Sequence, residues 1–474
     1  MKFGIVFVFL LTSNQISLAQ IVNDYYYFTS YDIEDINALS DDDIIVDYNV
    51  NVLHLESRIT DDNGTESYTS GLVLIPNKPC DSCPLLCFQN GEDYLLKEGE
   101  NDLFSFGRIA RIYAGLGYVV VMPDYNREFP DLHSATQATS AINLMRAARQ
   151  LGSENFYFNY GLSTDVYLAG YGQGAHGTMA LQRMIESEFS DEFKIIASSA
   201  MSGPYDMSDV MMDYTHGDIE YTPLNYLVRL YLDYKDLYPL GSLDQLFRPI
   251  FVPFIQFYFD GNLTLRELEQ GFVNQLKMEF GIARPRDLLL PGVLNSIMTD
   301  TLHPFGIALR DNDIYDWAPK ANTNMYYCLG DEKVPYENAI VSEEVMRDNG
   351  SRINAIQVDS ERAPLSHKEC ILPSVKKSIN YFKEVRFLTN NHDLINENDI
   401  NFHFENEKLV IKMLQKPNVE YTLSINSITG QNIYQSKFKT DIHKVLLPKV
   451  NSGIYIAIIS GDNGFHKTQK FVKP

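Results

Sequence analysis

The chain has 474 residues, 45% hydrophobic and 21% charged, the balance of a globular protein with a full core. At roughly 150 residues per domain it predicts two to three domains and excludes disorder over most of the length. Thirty-nine bases against 62 acids leave a net charge of −23, which repels phosphate and argues against a nucleic-acid partner. Five cysteines are too few for a disulfide scaffold.

The chain opens with Met1-Lys2, an apolar run from Phe3 to Leu11, and polar residues ending in Ser17-Leu18-Ala19-Gln20. A short basic start, an apolar core and small residues before the cut read as a secretory signal over residues 1–19, cleaved after Ala19. A membrane anchor would need about 20 apolar residues, and this run is far shorter. No cysteine follows the cleavage region closely, which argues against a lipoprotein. No later segment is long and apolar enough to span a bilayer. The expected mature chain is exported and has no integral membrane segment.

Residues 20–387 alternate strand-like and helix-like runs. Leu72-Val73-Leu74-Ile75 and Pro84 to Phe88 are short apolar runs. Tyr118-Val119-Val120-Val121-Met122 is continuous and β-branched, the pattern of a buried parallel strand. Ala135, Ala138, Ile142, Met145 and Ala148 recur at helical spacing. Val166 to Ala169 predicts a strand, Ala175 to Met184 a helix and Phe193 to Ala197 a strand. Met325 to Leu329 and Ile353 to Val358 complete the series. Strands alternating with helices predict an α/β domain with a mainly parallel sheet and flanking helices. Residues about 207–316 interrupt the pattern and are rich in aromatics, among them Tyr231, Tyr234, Phe247, Phe251 and Phe257. An insertion of this size reads as a helical cap. Its aromatics line either an apolar substrate pocket or the cap's own core.

Cys80, Cys83, Cys87, Cys328 and Cys370 are the cysteines. In an exported protein Cys80 can oxidise with Cys83 or with Cys87. The odd count leaves at least one thiol unpaired or paired between chains. A metal site at Cys80-x-x-Cys83 lacks a second CxxC or a nearby histidine pair. No metal, nucleotide or flavin motif is present, and no cofactor is expected.

Gly170-Tyr171-Gly172-Gln173-Gly174 lies between a predicted strand and a predicted helix. This is the setting of the G-x-S-x-G elbow, where small residues let strand and helix meet at a sharp turn. Asp331 follows in Gly330-Asp331-Glu332-Lys333-Val334-Pro335, and His367 in Leu365-Ser366-His367-Lys368-Glu369-Cys370. The order elbow, acid, histidine is that of the α/β-hydrolases. With Gly117 to Tyr125, Gly203-Pro204-Tyr205-Asp206, Ala308 to Asp313 and Trp317-Ala318-Pro319, the block resembles secreted α/β-hydrolases of the secretory-lipase and esterase branch over roughly 300 residues. The resemblance implies an α/β-hydrolase fold with an inserted helical cap and a Ser-His-Asp triad.

The sequence departs from that pattern where the chemistry would lie. The serine position is Gly172, and glycine cannot form an acyl-enzyme. The oxyanion segment, usually His-Gly-Thr, reads Gln89-Asn90-Gly91-Glu92-Asp93. The amide of Gln173, with Asn90 and Gly91, could still face a ligand, but two adjacent carboxylates would oppose an oxyanion. Asp331 and His367 are then a relict acid and base. The expected function is a non-catalytic pseudo-hydrolase holding an apolar ester, lipid or peptide. One alternative is a residual or rewired carboxyl-ester hydrolase using His367 and Asp331, for which a replacement nucleophile such as Ser202 would be needed near the ring. The other is a surface scaffold or adhesive protein. His176, on the elbow helix, reads as structural or ligand-lining rather than catalytic.

The stretch 388–401 is polar and acidic and reads as a linker. From Phe402 onward the chain holds ten lysines, no arginine and five acids, while residues 20–401 hold 28 bases and 57 acids. Leu409, Ile411 and Met413 alternate, as do Tyr421, Leu423 and Ile425, and then Ile454, Ile456 and Ile458. Short strands punctuated by Gly and Asn predict a small C-terminal β-sandwich. Ile428-Thr429-Gly430-Gln431, Leu447-Pro448 with Ser452-Gly453-Ile454-Tyr455, and the closing Lys467 to Lys473 resemble the C-terminal sorting domain of type IX secretion cargo from Bacteroidota. The resemblance covers residues 402–474. It implies the type IX machinery as a partner, and secretion or surface attachment after crossing the outer membrane. An ordinary carbohydrate-binding or adhesive module is the alternative, weakened by the absence of Trp from the tail.

Overall fold

A computed structural model describes residues 22–38, 44–60, 66–78, 80–89, 106–124, 132–154, 160–221, 223–392, 400–405, 408–413, 420–427, 432–440, 442–447, 453–461 and 466–473. The signal segment with Ala19 lies outside them, as do Asn90 and Gly91. The chain divides into two units, Met1–Ile379 and Asn380–Pro474.

The first unit is built on a nine-stranded sheet. Its strands are β1 (Val22–Tyr31), β2 (Val50–Thr60), β3 (Glu66–Pro76), β4 (Cys80–Gln89), β5 (Val119–Pro123), β6 (Tyr160–Tyr171), β7 (Lys194–Met201), β8 (Asn322–Tyr327) and β9 (Ile353–Gln357). Their order is β1-β2-β3-β5-β4-β6-β7-β8-β9. From β5 across to β9 every pairing is parallel. β1, β2 and β3 extend the other edge as antiparallel strands. Helices cover both faces, which is why β5 reads as an unbroken apolar run and is buried at every residue. On one face Ala141, Met145 and Ala148 of helix Ser134–Glu154 pack with Met179 and Leu181 of helix Gln173–Glu188 against Leu85, Cys87, Val121 and Leu168. Side chains alternate along β4, so Phe88 faces the other way and meets Tyr113 of helix Phe106–Gly115. The Tyr113 hydroxyl reaches Ser378 Oγ at 2.7 Å, on helix His367–His392.

Between β7 and β8 the chain leaves the sheet and folds into short helices, including Val210–His216, Tyr226–Tyr234, Val252–Phe259, Leu265–Phe280 and Pro304–Asp311. The longest is set by a capping box: Thr264 accepts from the Glu267 amide, and the Glu267 carboxylate accepts from the Thr264 amide. Tyr231, Tyr234, Phe247, Phe251 and Phe272 are buried with one another and with Leu227, Leu268 and Leu276. These aromatics are therefore the cap's own core, while Phe257 and Phe259 are exposed.

The second unit begins within helix His367–His392, so the polar stretch from residue 388 starts as helix. Beyond it, β10 (Ile400–Glu405), β11 (Lys408–Met413) and β14 (Ile442–Leu446) form one sheet. β13 (Asn432–Phe438), β12 (Tyr421–Ser427), β15 (Gly453–Gly461) and β16 (His466–Lys473) form the other. Leu409, Ile411 and Val445 from the first share a core with Leu423, Ile425, Ala457 and Ile459 from the second, which makes a sandwich. One face differs from expectation. On β15 the residues turned inward are Tyr455, Ala457 and Ile459, not Ile456 and Ile458. Both phases of that strand are apolar, so alternation cannot choose between them. Pairing chooses, because Leu423 lies opposite Ile459 and Ile425 opposite Ala457. Among the described residues no helix is long and apolar enough to cross a membrane.

One side chain clasps the two roots of the cap. Asp313, at its exit, accepts from the amides of Met207 (2.7 Å) and Ser208 (3.1 Å) and from the Ser208 hydroxyl (2.6 Å) at its entry. Burial pushes the Asp313 carboxyl up to about 7, against the pull of the Ser208 hydroxyl and with Asp206 adding to the rise. A raised acid keeps its proton in the folded chain after the unfolded chain has lost it, so stability falls as pH rises from about 4 to about 7. Asp313→Asn retains the shape without the titration. Urea unfolding at about pH 5 and about pH 8 should show a pH difference smaller than that of the unmodified chain by about 1 kcal/mol or more. An unchanged slope would assign it to other groups.

Candidate functional site

The elbow is built by close approach. A side chain at Gly170 would run into the Gly174 carbonyl, so strand β6 can meet helix Gln173–Glu188 only without one. Gly172, between them, has φ +56° and ψ −121°, a conformation glycine adopts without steric cost. Its amide donates to the Met201 carbonyl at 2.8 Å, which ties the turn to the end of β7. Gln173 begins the helix, so its amide lies outside the helix's own ladder.

Asp331 and His367 meet at this turn although 36 residues separate them. His367 Nδ1 lies 2.8 Å from Asp331 Oδ2 and 2.9 Å from Oδ1. Asp331 Oδ1 also accepts from the amides of Lys333 (3.0 Å) and Val334 (2.8 Å). The Asp331 side chain is 2% exposed and that of His367 15%. The carboxylate also accepts a hydrogen bond from Nδ1–H of the neutral ring and so orients it. The opposite nitrogen faces the elbow: a Cβ at Gly172 would lie 3.3 Å from His367 Nε2 and 3.5 Å from Cε1. The acid, the histidine and the nucleophile position of the sequence reading therefore converge, with glycine at the third.

The other expected residues fall elsewhere. His176 is fully buried; its Nε2 lies 2.9 Å from the Asn312 carbonyl oxygen and its Nδ1 2.8 Å from Gln137 Oε1. Burial pushes its pKa down to about 4, so the ring is neutral and structural. Ser202 is buried with φ +48°. Its hydroxyl lies 3.7 Å from Cys370 Sγ, and among the described residues no Ser, Thr or Cys side chain bonds His367 Nε2. Asn90 and Gly91 lie outside the described residues.

Several positioning groups escaped the sequence reading. Tyr171, the residue before the elbow glycine, donates its hydroxyl to the His367 carbonyl at 2.6 Å. Burial, with the Asp331 charge nearby, holds that phenol well above its usual pKa, so it remains a donor. The His367 amide donates to Glu332 Oε2 at 2.8 Å. Asp359 accepts from the amides of Leu329 (2.9 Å) and Leu365 (2.8 Å), joining the loop that carries the acid to the loop that carries the histidine. Ser366 and Glu369 bond one another's backbone amides, a capping box that starts the helix at His367. Its signal, S-x-x-E, stands in the sequence.

The cysteines complete the clamp. Cys80 pairs with Cys83, within the expected alternatives, and Cys87 is a buried free thiol. Cys328 pairs with Cys370. One half lies three residues before Asp331 and the other three after His367, so the bond joins the two segments that hold the pair. A crosslink over 42 residues should contribute about 3–4 kcal/mol by restricting the unfolded chain. Cys328→Ser with Cys370→Ser should lose about that much in denaturant titration. Alkylation of the unfolded, unreduced chain should modify Cys87 alone; modification at Cys328 or Cys370 would contradict this pairing.

Comparison with known proteins bears on the fold and on the C-terminal module. Residues 405–474 match the family described as secretion system C-terminal sorting domain. No curated protein matches the chain. A Legionella pneumophila protein of provisional hydrolase assignment superposes with a TM-score of 0.64 at 21% identity, covering 77% of this chain and 98% of that one. A ligand-bound form of the rice cell wall degrading esterase LipA from Xanthomonas oryzae superposes with a TM-score of 0.59 at 25% identity, covering 79% and 98%. The chain is thus a secreted α/β-hydrolase-fold protein that ends in a type IX secretion sorting domain.

Proposed function

We propose that the chain is a pseudo-hydrolase: a secreted binder that holds an apolar ester, lipid or peptide at a former esterase site without cleaving it. One observation carries this reading. A Cβ at residue 172 would point at His367 Nε2 from 3.3 Å, while Asp331 holds Nδ1. An acyl transfer would use an acid and a base in this relation to the elbow, and glycine supplies no attacking oxygen. In this reading Asp331 and His367 are the relict acid and base, and Gln173 faces the ligand; Asn90 and Gly91, the other binding candidates, lie outside the described residues. The module boundaries proposed with it are residues 1–19 as signal, 20–387 as the hydrolase-like domain with its cap at about 207–316, 388–401 as linker and 402–474 as sorting domain. The type IX machinery is the partner in export.

The intact His–Asp pair also favours a second reading, a residual carboxyl-ester hydrolase in which His367 activates water in place of the missing side chain. Gly172→Ser separates the two. The unmodified chain should neither turn over p-nitrophenyl esters nor label with a fluorophosphonate. The serine variant should do both, and His367→Ala in its background should lower turnover by about 10³-fold or more. At φ +56° a serine stores about 1–3 kcal/mol of backbone strain, so the variant should also unfold at lower denaturant. Turnover by the unmodified chain, abolished by His367→Ala, would make the second reading the correct one.

A further inference from the structure

Asp331 decides which hydrogen-bonding groups the site can take. Its carboxylate accepts from two backbone amides and lies within 2.9 Å of His367 Nδ1 at both oxygens. The ring proton of neutral His367 therefore sits on Nδ1, and Nε2 turns a lone pair toward Gly172. In a serine elbow that lone pair receives the hydroxyl proton. Here the glycine offers none, and among the described residues no side chain donates to Nε2. The other groups facing His367 are the Glu332 carboxylate, which accepts from its backbone amide at 2.8 Å, and the Tyr171 phenol, whose ring centroid lies 4.9 Å from the imidazole.

We propose that the ligand presents a free carboxyl group at Gly172, so that the protein captures carboxylic acids and not their esters. The inference rests on the pseudo-hydrolase reading and names its ligand class. An ester offers only its carbonyl and alkoxy oxygens, and these acceptors would face the lone pair of another acceptor. A carboxylic acid gives its proton to Nε2: the O–H bond breaks, the N–H bond forms, and the carboxylate remains bonded to the new imidazolium. A ligand that arrives already ionised takes the same proton from the buffer, one for each molecule bound. The result is an imidazolium between two carboxylates, Asp331 and the ligand. That is close to the charge pattern a His–Asp pair supports when a neighbouring oxyanion forms. A Cβ at residue 172 would already come within 3.3 Å of Nε2, so a ligand oxygen can approach the ring here only because residue 172 carries no side chain. Charge-assisted bonds of this kind are roughly twice as strong as neutral ones, so an alcohol, which can also donate to the lone pair, should bind less well than the acid.

The test is calorimetry on the full exported chain with sodium octanoate, methyl octanoate and 1-octanol. Octanoate should bind at least about tenfold more tightly than either of the others. At about pH 8.5, in two buffers of different ionisation enthalpy, its binding should take up close to one proton, about the charge change of a single imidazole. Gly172→Ser, which supplies a donor and fills the space, should abolish the preference, and His367→Gln should abolish the proton uptake. The proton count on the unmodified chain stands whether or not a variant folds. Equal or tighter binding of the ester without its consumption, a match between octanol and octanoate, or no binding of octanoate would each overturn the carboxylic-acid assignment and leave the pseudo-hydrolase reading standing. Consumption of the ester by the unmodified chain would instead overturn the reading on which the assignment rests.

Discussion

The contact between His367 Nδ1 and Asp331 is the constraint around which this end of the sheet is arranged. It joins the loop after β8 to the first residue of the helix that follows β9. A nearly buried carboxylate loses hydration, and removing its partners would leave the charge uncompensated. Here the backbone amides of Lys333 and Val334 share the load with the histidine. Around that contact the two segments are held by different kinds of bond. The Cys328–Cys370 disulfide is covalent, Asp359 bridges two backbone amides, Glu332 receives the His367 amide, and Tyr171 holds the His367 carbonyl. None of these uses a side chain at residue 172. The geometry of acid and base can therefore persist without a nucleophile.

The elbow geometry suits a glycine at residue 172. The turn from β6 into its helix is forced by the close approach at Gly170 and by the bond from the Gly172 amide to β7. At the φ this imposes, any residue with a Cβ is strained and glycine is not. The glycine at this position is therefore both free of strain and without a side-chain oxygen. The cap is similarly independent of the chemistry. Its aromatics pack on each other, and its roots are joined by Asp313 away from the ring of His367.

Much of this was legible in the linear pattern, for stated physical reasons. β5 is buried on both faces and therefore apolar throughout, which no exposed strand would be. The elbow's small residues and the order elbow, acid, histidine mark the site because each role accepts few residue types. The inward face of β15 was not legible, since Ile-Tyr-Ile-Ala-Ile-Ile is apolar in both phases. Nor was the Cys328–Cys370 pair, because the distance between two cysteines along a chain says nothing about their distance in space. The edge strand β1 also escaped, as its residues are exposed or only partly buried and carry a weak alternation.

By itself the sequence determined the fold class and the sorting tail, and it set a glycine at the centre of the elbow with an aspartate and a histidine after it. These are local properties: periodicity, turn chemistry and the presence or absence of a functional group. Tertiary structure alone decided that Asp331 and His367 meet, that Nε2 faces Gly172, that Ser202 stays apart from the ring and that His176 is a buried neutral support. Those are distances between residues far apart in the chain, set by the parallel sheet that brings the ends of β6, β7, β8 and β9 side by side.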